Sequence, residues 1–232
     1  QNLSANVDLA GDGNLVRVDI PASALGFEEA KREYTAIEFL AEGRYDNWFF
    51  QGSYTWSTSE GNTEGYVKSD NGQDDAGITQ DFDYPGLMDG ADGDLPNDRR
   101  HTFKLFGSYS FNDEWSVGGN LIAQSGRPRN CFGVYPSDGP DNHEDTSGTG
   151  ASNYGAASFF CGTNVEDAYP STQVPRGTAG RVPWAYSLDA QVVYTPLWSE
   201  GLRFRLAVTN VLDSDDYYRT QDVFEGDGRE PE

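Results

Sequence analysis

Aromatic and small polar side chains alternate along residues 48–57, which read WFFQGSYTWS. Successive side chains of a β-strand point to opposite faces, so this pattern predicts a strand with one aromatic face and one polar face. Trp48, Phe50, Tyr54 and Trp56 would share the aromatic face. The same alternation recurs along the chain, and the predicted strands cover residues 34–42, 48–57, 101–111, 115–124, 184–195 and 202–211.

The length of these segments favours membrane strands. Each is roughly 9–12 residues long, the length that a tilted strand needs to cross a bilayer, whereas strands in soluble proteins average about five or six. In a membrane the aromatic face would contact lipid, and the polar face would line an aqueous or plugged lumen. A soluble β-sandwich or β-helix with one buried face is the alternative.

The predicted connections alternate between short turns and long polar segments. The short turns are residues 43–47, 111–114 and 196–201, and the long segments, rich in Asp, Gly, Asn and Ser, are residues 58–100, 125–183 and 212–232. Structureless loops beyond about 12–15 residues are uncommon in compact soluble domains, whereas outer-membrane barrels have short periplasmic turns and long extracellular loops. The sequence therefore predicts an all-β fold, an antiparallel transmembrane β-barrel segment of about six strands with long extracellular loops.

Aromatic residues occur where the predicted strands would cross the boundary between lipid and water. Trp and Tyr prefer this zone because their rings are apolar while the NH or OH group stays hydrated. The predicted lipid-interface residues are Trp48, Trp56, Tyr109, Phe111, Trp115, Trp184, Tyr194 and Trp198.

Six strands leave two open edges in the predicted sheet. An unpaired edge is not tolerated in lipid, because each bare backbone group costs several kcal/mol. We therefore expect residues 1–232 to be part of a single outer-membrane β-barrel domain that continues beyond both ends; the resemblance described below implies that this is its C-terminal part.

Composition narrows the classes of function. Asp and Glu number 38 against 16 Lys and Arg, for a formal charge of -22, which argues against nucleic acid as a partner. No run approaches the roughly 18 consecutive apolar residues of a membrane helix. Carboxylates at close spacing in the long segments could bind Ca²⁺, and solvated acidic loops are the alternative. The Ca²⁺ candidates are Asp70, Asp74, Asp75, Asp81, Asp92 and Asp94.

The two cysteines, Cys131 and Cys161, lie in one polar long segment. Their placement predicts a disulfide that closes a loop of about 30 residues and is worth about 3–4 kcal/mol. A disulfide indicates an oxidising compartment such as the periplasm or the cell surface. Two unrelated free thiols are the alternative.

Aromatic residues in the long segments could contact a ligand, since binding residues concentrate on loops. The alternative is that these rings pack the loops against each other. The candidates are Tyr66, Tyr84, Phe132, Tyr135, Tyr154, Phe159 and Phe160.

The sequence contains no catalytic constellation. His101 lies at a predicted strand start, and His143 has no nearby Ser or Cys nucleophile. Common hydrolase, metalloprotease and phosphate-loop motifs do not occur. The sequence predicts a protein that is not an enzyme and needs no cofactor, with Ca²⁺ as the single candidate ion.

Three segments carry a family resemblance. LPNDRRHTFKLFGSY (95–109), within a longer similar run over 64–109, and WSVGGNLIAQSGRP (115–128) resemble the C-terminal barrel region of TonB-dependent outer-membrane receptors, in the Oar-like, carboxypeptidase-regulatory-like branch. LAVTNVLDSDDYY (206–218) is similar to the penultimate strand of that family.

The resemblance implies a barrel of about 22 strands around an N-terminal plug, located in the bacterial outer membrane with its long loops extracellular. It also implies import of a nutrient, which would be a small molecule, glycan or peptide, driven by TonB–ExbB–ExbD. The plug, the TonB box and the final strand are expected outside these residues. The alternative function is that of a surface-exposed adhesion or carbohydrate-binding β-protein without transport, and a passive porin-like barrel is a third possibility.

Overall fold

The structure is a computed structural model in which residues 3–7, 11, 13–73, 75–136, 156–161 and 172–214 are described. Its strands in chain order are β1 (Leu3–Val7), β2 (Val16–Ile20), β3 (Arg32–Tyr45), β4 (Trp48–Gly61), β5 (Gly93–Asp94), β6 (His101–Ser110), β7 (Trp115–Gln124), β8 (Gly133–Val134), β9 (Ala157–Ser158), β10 (Phe160–Cys161), β11 (Thr172–Gln173), β12 (Ala185–Tyr194) and β13 (Phe204–Val208). Short 3₁₀ turns occupy Ala22–Leu25, Ser69–Asn71 and Pro85–Met88. Across the described ranges, the model contains no helix with the length and hydrophobicity to span a membrane.

One antiparallel sheet dominates the fold, with strand order β13-β12-β7-β6-β4-β3 and β5 paired to the end of β4. The predicted all-β, antiparallel sheet of about six long strands is confirmed. Strand β7 has the predicted bounds, whereas β3 and β4 are longer than predicted, at 14 residues each. Their pairing runs from Arg32 and Gly61 to Tyr45 and Trp48. Strand β3 therefore continues into the predicted short turn 43–47, and β4 continues into the predicted long segment 58–100.

Strand β13 is shorter than the predicted 202–211, at five residues. Its pairing with β12 ends at Val208. Asn210 then adopts a φ of 50°, a left-handed conformation that ends an extended strand. The Asn210 amide donates to the Asp189 carboxylate at 3.0 Å instead of continuing the ladder.

The strand register gives the sheet two chemically different faces. Side chains that are directly opposite in an antiparallel ladder lie on the same face. Leu105 is paired with Leu121 and, through it, with Leu188, while the adjacent Phe106 is paired with Asn120 and Gln51. The apolar face comprises Ile37, Phe39, Tyr45, Trp48, Phe50, Tyr54, Phe103, Leu105, Tyr109, Trp115, Leu121, Leu188, Val192, Phe204 and Leu206.

The short connections of the main sheet lie at one end of the sheet, and the long connections lie at the other end. The β3–β4, β6–β7 and β12–β13 connections are short and lie at one end, which we call the turn end. The β4–β6 and β7–β12 connections are long and lie at the other. The predicted alternation of short turns and long segments is therefore present between β3 and β13.

Most of the buried side chains lie in the long connections rather than beneath the sheet. We define the loop module as the described residues 62–73, 75–100, 125–136, 156–161 and 172–184. Its fully buried apolar side chains pack as two clusters and include Leu87, Tyr135, Phe132 and Phe159. The strand pairs β8–β9 and β10–β11 add main-chain bonds inside it. The expectation of structureless long segments is wrong for these residues, because they bury their own core.

A separate hairpin of β1 and β2 precedes the sheet. The sequence analysis missed it because each strand has only five residues. Val16 and Val18 alternate with Arg17 and Asp19, and this short pattern was the available signal.

Gly126 permits two segments of the loop module to approach closely. A Cβ at this position would overlap the main-chain carbonyl of Val182. The two segments bond directly, since the Val182 amide donates to the Arg127 carbonyl at 3.0 Å.

We expect Gly126→Ala in the full-length protein to destabilise the loop module by about 1–3 kcal/mol, because the backbone must shift. The measurement is the denaturant dependence of proteolytic cleavage in the long connections. Gly52→Ala is the matched control, since its Cβ would meet Leu105 Cδ1 at an ordinary 3.5 Å. Equal cleavage of the two variants would contradict this prediction.

Candidate functional site

Two ion pairs are buried inside the loop module. Lys68 Nζ lies 2.8 Å from Asp81 Oδ1, with side-chain exposures of 2% and 1%. Arg176 Nη1 lies 2.8 Å from Asp70 Oδ2, with both side chains at 0%. Charged groups are almost never fully buried unless paired, so each cation fixes the position of its carboxylate.

The cations of both ion pairs, Lys68 and Arg176, contact the ring of Phe159. The rings of Phe132 and Phe159 lie 5.2 Å apart. Lys68 Nζ is 5.3 Å from the Phe159 centroid, and Arg176 Cζ is 4.7 Å from it. Lys68 belongs to the β4–β6 connection, whereas both rings and Arg176 belong to the β7–β12 connection. Cation–π contacts and ion pairs therefore join the two long connections.

The local backbone places Lys68 and Asp70 on the inner side of a tight turn. The 3₁₀ turn Ser69–Asn71 ends at Gly72, which has a φ of 84° that glycine adopts without strain. The main chains of Lys68 and Gln73 then pair in both directions at 3.0 Å. This turn holds the Lys68 cation and the Asp70 carboxylate against the β7–β12 connection.

Asp70 has a second contact in the second connection, since Asn130 Nδ2 donates to Asp70 Oδ2 at 3.1 Å. Asp70 Oδ1 and Arg176 Nη2 are buried atoms without a hydrogen-bond partner. Burial raises the pKa of the Asp70 carboxyl, and the charges of Arg176 and Lys68 act in the opposite direction. Asp70 is therefore a desolvated anion whose charge depends on the two cations beside it.

A second ion network lies where the module meets the sheet. Arg100 Nη2 lies 2.9 Å and Arg181 Nη2 2.6 Å from Asp94 Oδ2. Both guanidinium groups also contact Asp98, which is fully buried. Asp98 Oδ1 in turn accepts from the Ser59 amide at 2.8 Å, which ties the network to β4.

The acidic candidates that the structure describes do not lie together in one group of carboxylates. Asp70, Asp81 and Asp94 are each paired with Lys or Arg of the chain itself, while Asp75 and Asp92 are exposed. No group of three or more His, Cys, Asp or Glu side chains that could hold a metal occurs among the described residues. Solvated loops, the alternative, are also the wrong description of Asp70 and Asp81, which are buried. The remaining candidate, Asp74, lies outside the described residues.

The aromatic ligand candidates differ in their access to solvent. Phe132, Tyr135 and Phe159 have exposures of 0%, 1% and 0%, so they pack the loops together, as the alternative had it. Phe160 is also buried, and Tyr84 packs on the same cluster. Tyr154 lies outside the described residues. Tyr66, at 72%, is available to a ligand.

A cleft of about 400 Å³ opens close to Tyr66. The two are linked because the Gly77 amide, in the cleft wall, donates to the Tyr66 carbonyl at 2.9 Å. The cleft is lined mainly by amide, hydroxyl and main-chain groups, from Lys68, Asn71, Gln73, Gly77, Ile78, Thr79, Gln80 and Asp83. Such a lining suits a neutral, hydrogen-bonding ligand.

The predicted disulfide is present and joins Cys131 to Cys161, with a Cα–Cα distance of 5.4 Å. It connects the segment that contains Phe132 to the segment that contains Phe159. Closing a separation of 30 residues is worth about 3–4 kcal/mol in the chain-entropy account. The disulfide therefore supports the ring pair on which both cations rest.

The aromatic candidates for a lipid interface form ring pairs near both ends of the apolar face. Ring centroids are 4.5 Å apart in two pairs at the turn end and 6.3 Å apart in a pair at the module end. These pairs are Trp48–Tyr109, Trp115–Tyr194 and Trp184–Tyr186. Phe111 and Trp198 are exposed in the short turns, and Trp56 lies opposite His101 in the β4–β6 ladder.

Sequence reasoning missed the cations of the module. Lys and Arg are scarce in this chain, at 16 in 232 residues, so each basic residue in an acidic segment was a signal of a paired carboxylate. The residues concerned are Lys68, Arg100, Arg176 and Arg181.

We expect Asp70→Asn to destabilise the loop module by about 3–5 kcal/mol, because it leaves the Arg176 charge buried without its anion. Denaturant-dependent proteolysis of the full-length protein measures the effect. The exposed Asp75→Asn is the control and should leave stability unchanged. Asp70→Asn combined with Arg176→Met should recover part of the loss. A double variant no more stable than Asp70→Asn alone would contradict this account of the pair.

The chain was compared with family models, with known proteins and with solved structures. No family model matches the chain. The chain is 29% identical over 220 residues to the TonB-dependent transporter Oar of Myxococcus xanthus, covering 92% of this chain and 17% of that protein. The closed-form crystal structure of the ferric-catecholate import receptor Fiu from Escherichia coli K12 is similar with a TM-score of 0.43 and 16% identity, over 96% of this chain and 20% of that one. The chain thus spans about a sixth of the length of its curated relative, and over most of its own length it is homologous to a TonB-dependent transporter of the Oar type.

Proposed function

We propose that this chain forms part of the wall of a TonB-dependent outer-membrane transporter that binds and imports a nutrient. The observation that carries the proposal is the apolar face of the main sheet. Phe39, Leu105 and Leu206 on this face have exposures of 63%, 48% and 70%. A contiguous apolar surface of this kind marks a contact with lipid or protein, and the transporter homology favours lipid.

The dimensions of the face fit a bilayer. Trp48 and Trp56 lie eight residues apart on β4, which is about 26 Å along the strand at the usual rise and about 20 Å along the membrane normal at a strand tilt of about 40°. The apolar band of outer-membrane barrels is about 25 Å tall and is flanked by aromatic girdles. The ring pairs near the two ends of the face would form these girdles.

The opposite face suits a wet or plugged lumen. It presents Gln51, Ser53, Lys104, Asn120 and Asp189, which are paired across neighbouring strands. Strands β3 and β13 are the edges of the described sheet. In the proposed protein both edges pair with further strands of one barrel domain, which surrounds a plug and couples to TonB–ExbB–ExbD.

The loop module would form part of the extracellular surface and receive the ligand. The Tyr66 side chain and the adjacent cleft supply an exposed ring beside a lining of mainly uncharged hydrogen-bonding groups, which suits a small molecule, glycan or peptide. This arrangement supports binding of a neutral part of the ligand. An adhesion or carbohydrate-binding protein without transport would use the same surface, so the membrane face decides between the two.

We expect Leu105→Arg to impair insertion of the full-length protein, at a cost of about 2–4 kcal/mol, because it places a charge against lipid. The adjacent Phe106→Arg is the matched control, since Phe106 faces Gln51 and Asn120 and has a similar exposure of 44% against 48%. Outer-membrane fractionation and the heat-dependent gel shift of a closed barrel measure insertion. Equal insertion of both variants, or a soluble folded protein, would overturn the transporter proposal in favour of a secreted binding protein.

A further inference from the structure

Glu64 lies beside the buried ion pairs but contacts neither cation directly. It is half-buried, at the start of the β4–β6 connection. Ser69 Oγ donates to Glu64 Oε2 at 2.5 Å, and the Asp70 amide donates to Oε1 at 3.4 Å. Arg32 Nη1 bonds the main-chain carbonyl of Glu64 rather than its carboxylate, at 2.9 Å.

The charges around Glu64 do not balance when every group is ionised. Lys68 neutralises Asp81, and Arg176 neutralises Asp70. Glu64 is then a third carboxylate against two cations, and none of the ion pairs between described residues includes it. Arg32 is exposed and bonds the main chain of Glu64 rather than its carboxylate. The three carboxylates and two cations named here therefore carry one uncompensated negative charge, which one proton would remove.

The environment favours that proton. Burial raises the pKa of Glu64, and the negative charge of Asp70 raises it further. The hydrogen bond from Ser69, the charge of Arg176 and the Asp70 amide oppose these effects without reversing them.

We propose that Glu64 takes up one proton as the pH falls, and that this uptake tightens the packing of the two long connections in the loop module. The geometry already accommodates both states. The Ser69 hydroxyl donates to a carboxylate and can accept from a carboxylic acid, so the short contact survives protonation. The proton site does not depend on the proposed transport function, because it rests on contacts within the module alone.

The sign of the pH effect follows from linkage. A raised pKa means that the folded module binds the proton more readily than the opened one. Between the ordinary value of 4.5 and the pKa of the folded state, opening becomes easier as the pH rises. Below this window the proton is bound in both states, and above it the proton is absent from both. The module is thus tightest on the acidic side.

Hydrogen exchange of the full-length protein in detergent tests the proposal. The probes are amides whose bonds close the module, at Lys68, Gln73, Val174 and Arg176. After correction for intrinsic exchange, we expect opening to rise by up to about tenfold per pH unit within the window. Glu64→Gln should reduce this dependence to the part that Asp70 contributes, since the pKa of Asp70 is also raised by burial, and it should keep protection high. The exposed Asp75→Asn should leave the dependence intact.

Two results would overturn the proposal. The first is opening that does not change with pH in the unmodified protein. The second is a dependence that persists undiminished in Glu64→Gln, because the proton would then belong to another group. Difference infrared spectroscopy gives an independent reading, since the spectrum of the unmodified protein minus that of Glu64→Gln should contain a protonated carboxyl band at mildly acidic pH. A difference spectrum without this band would count against Glu64 even if the variant opens for other reasons.

Discussion

The antiparallel register of the main sheet is the constraint on which the rest of the structure depends. Strands β4, β6, β7 and β12 each pair on both sides, and opposite residues must share a face. A slip of one residue would move Leu105 and Leu121 to the polar face and bring Lys104 to the apolar one. The same pairing directs successive connections to alternate ends. The register thus sets both the two-sided chemistry of the sheet and the place where the long connections meet.

The meeting of the long connections creates an environment that neither would have alone. The β4–β6 connection supplies Lys68, Asp70 and Asp81, and the β7–β12 connection supplies Phe159 and Arg176. A chain with a formal charge of -22 would ordinarily keep its carboxylates in water. Here a few cations allow some of them to be buried. The buried charges must then remain nearly balanced. Glu64 is unusual because it lies beside these ion pairs without a cation of its own among the described residues.

The sheet was predictable from sequence and the interior of the module was not, for a physical reason. A period of two is a local property, so the alternation in 115–124 was enough to define β7. The ends of β3 and β13 depend on neighbouring strands and were misplaced. The pairing of Asp70 with Arg176 joins residues 106 positions apart, and no local pattern encodes such a contact. The disulfide was predictable because the chain has only two cysteines.

The separation between Asp70 and Arg176 also has a consequence for the order of folding. Closing a flexible loop costs more entropy as the loop lengthens, and contacts distant in sequence form slowly. Pairing of β4, β6, β7 and β12 brings the ends of both long connections to one edge and shortens the path between these residues. We therefore expect the module to assemble after the strands of the sheet have paired. While the strands are still unpaired, the charged groups of Asp70 and Arg176 and the thiols of Cys131 and Cys161 would remain in water without their partners.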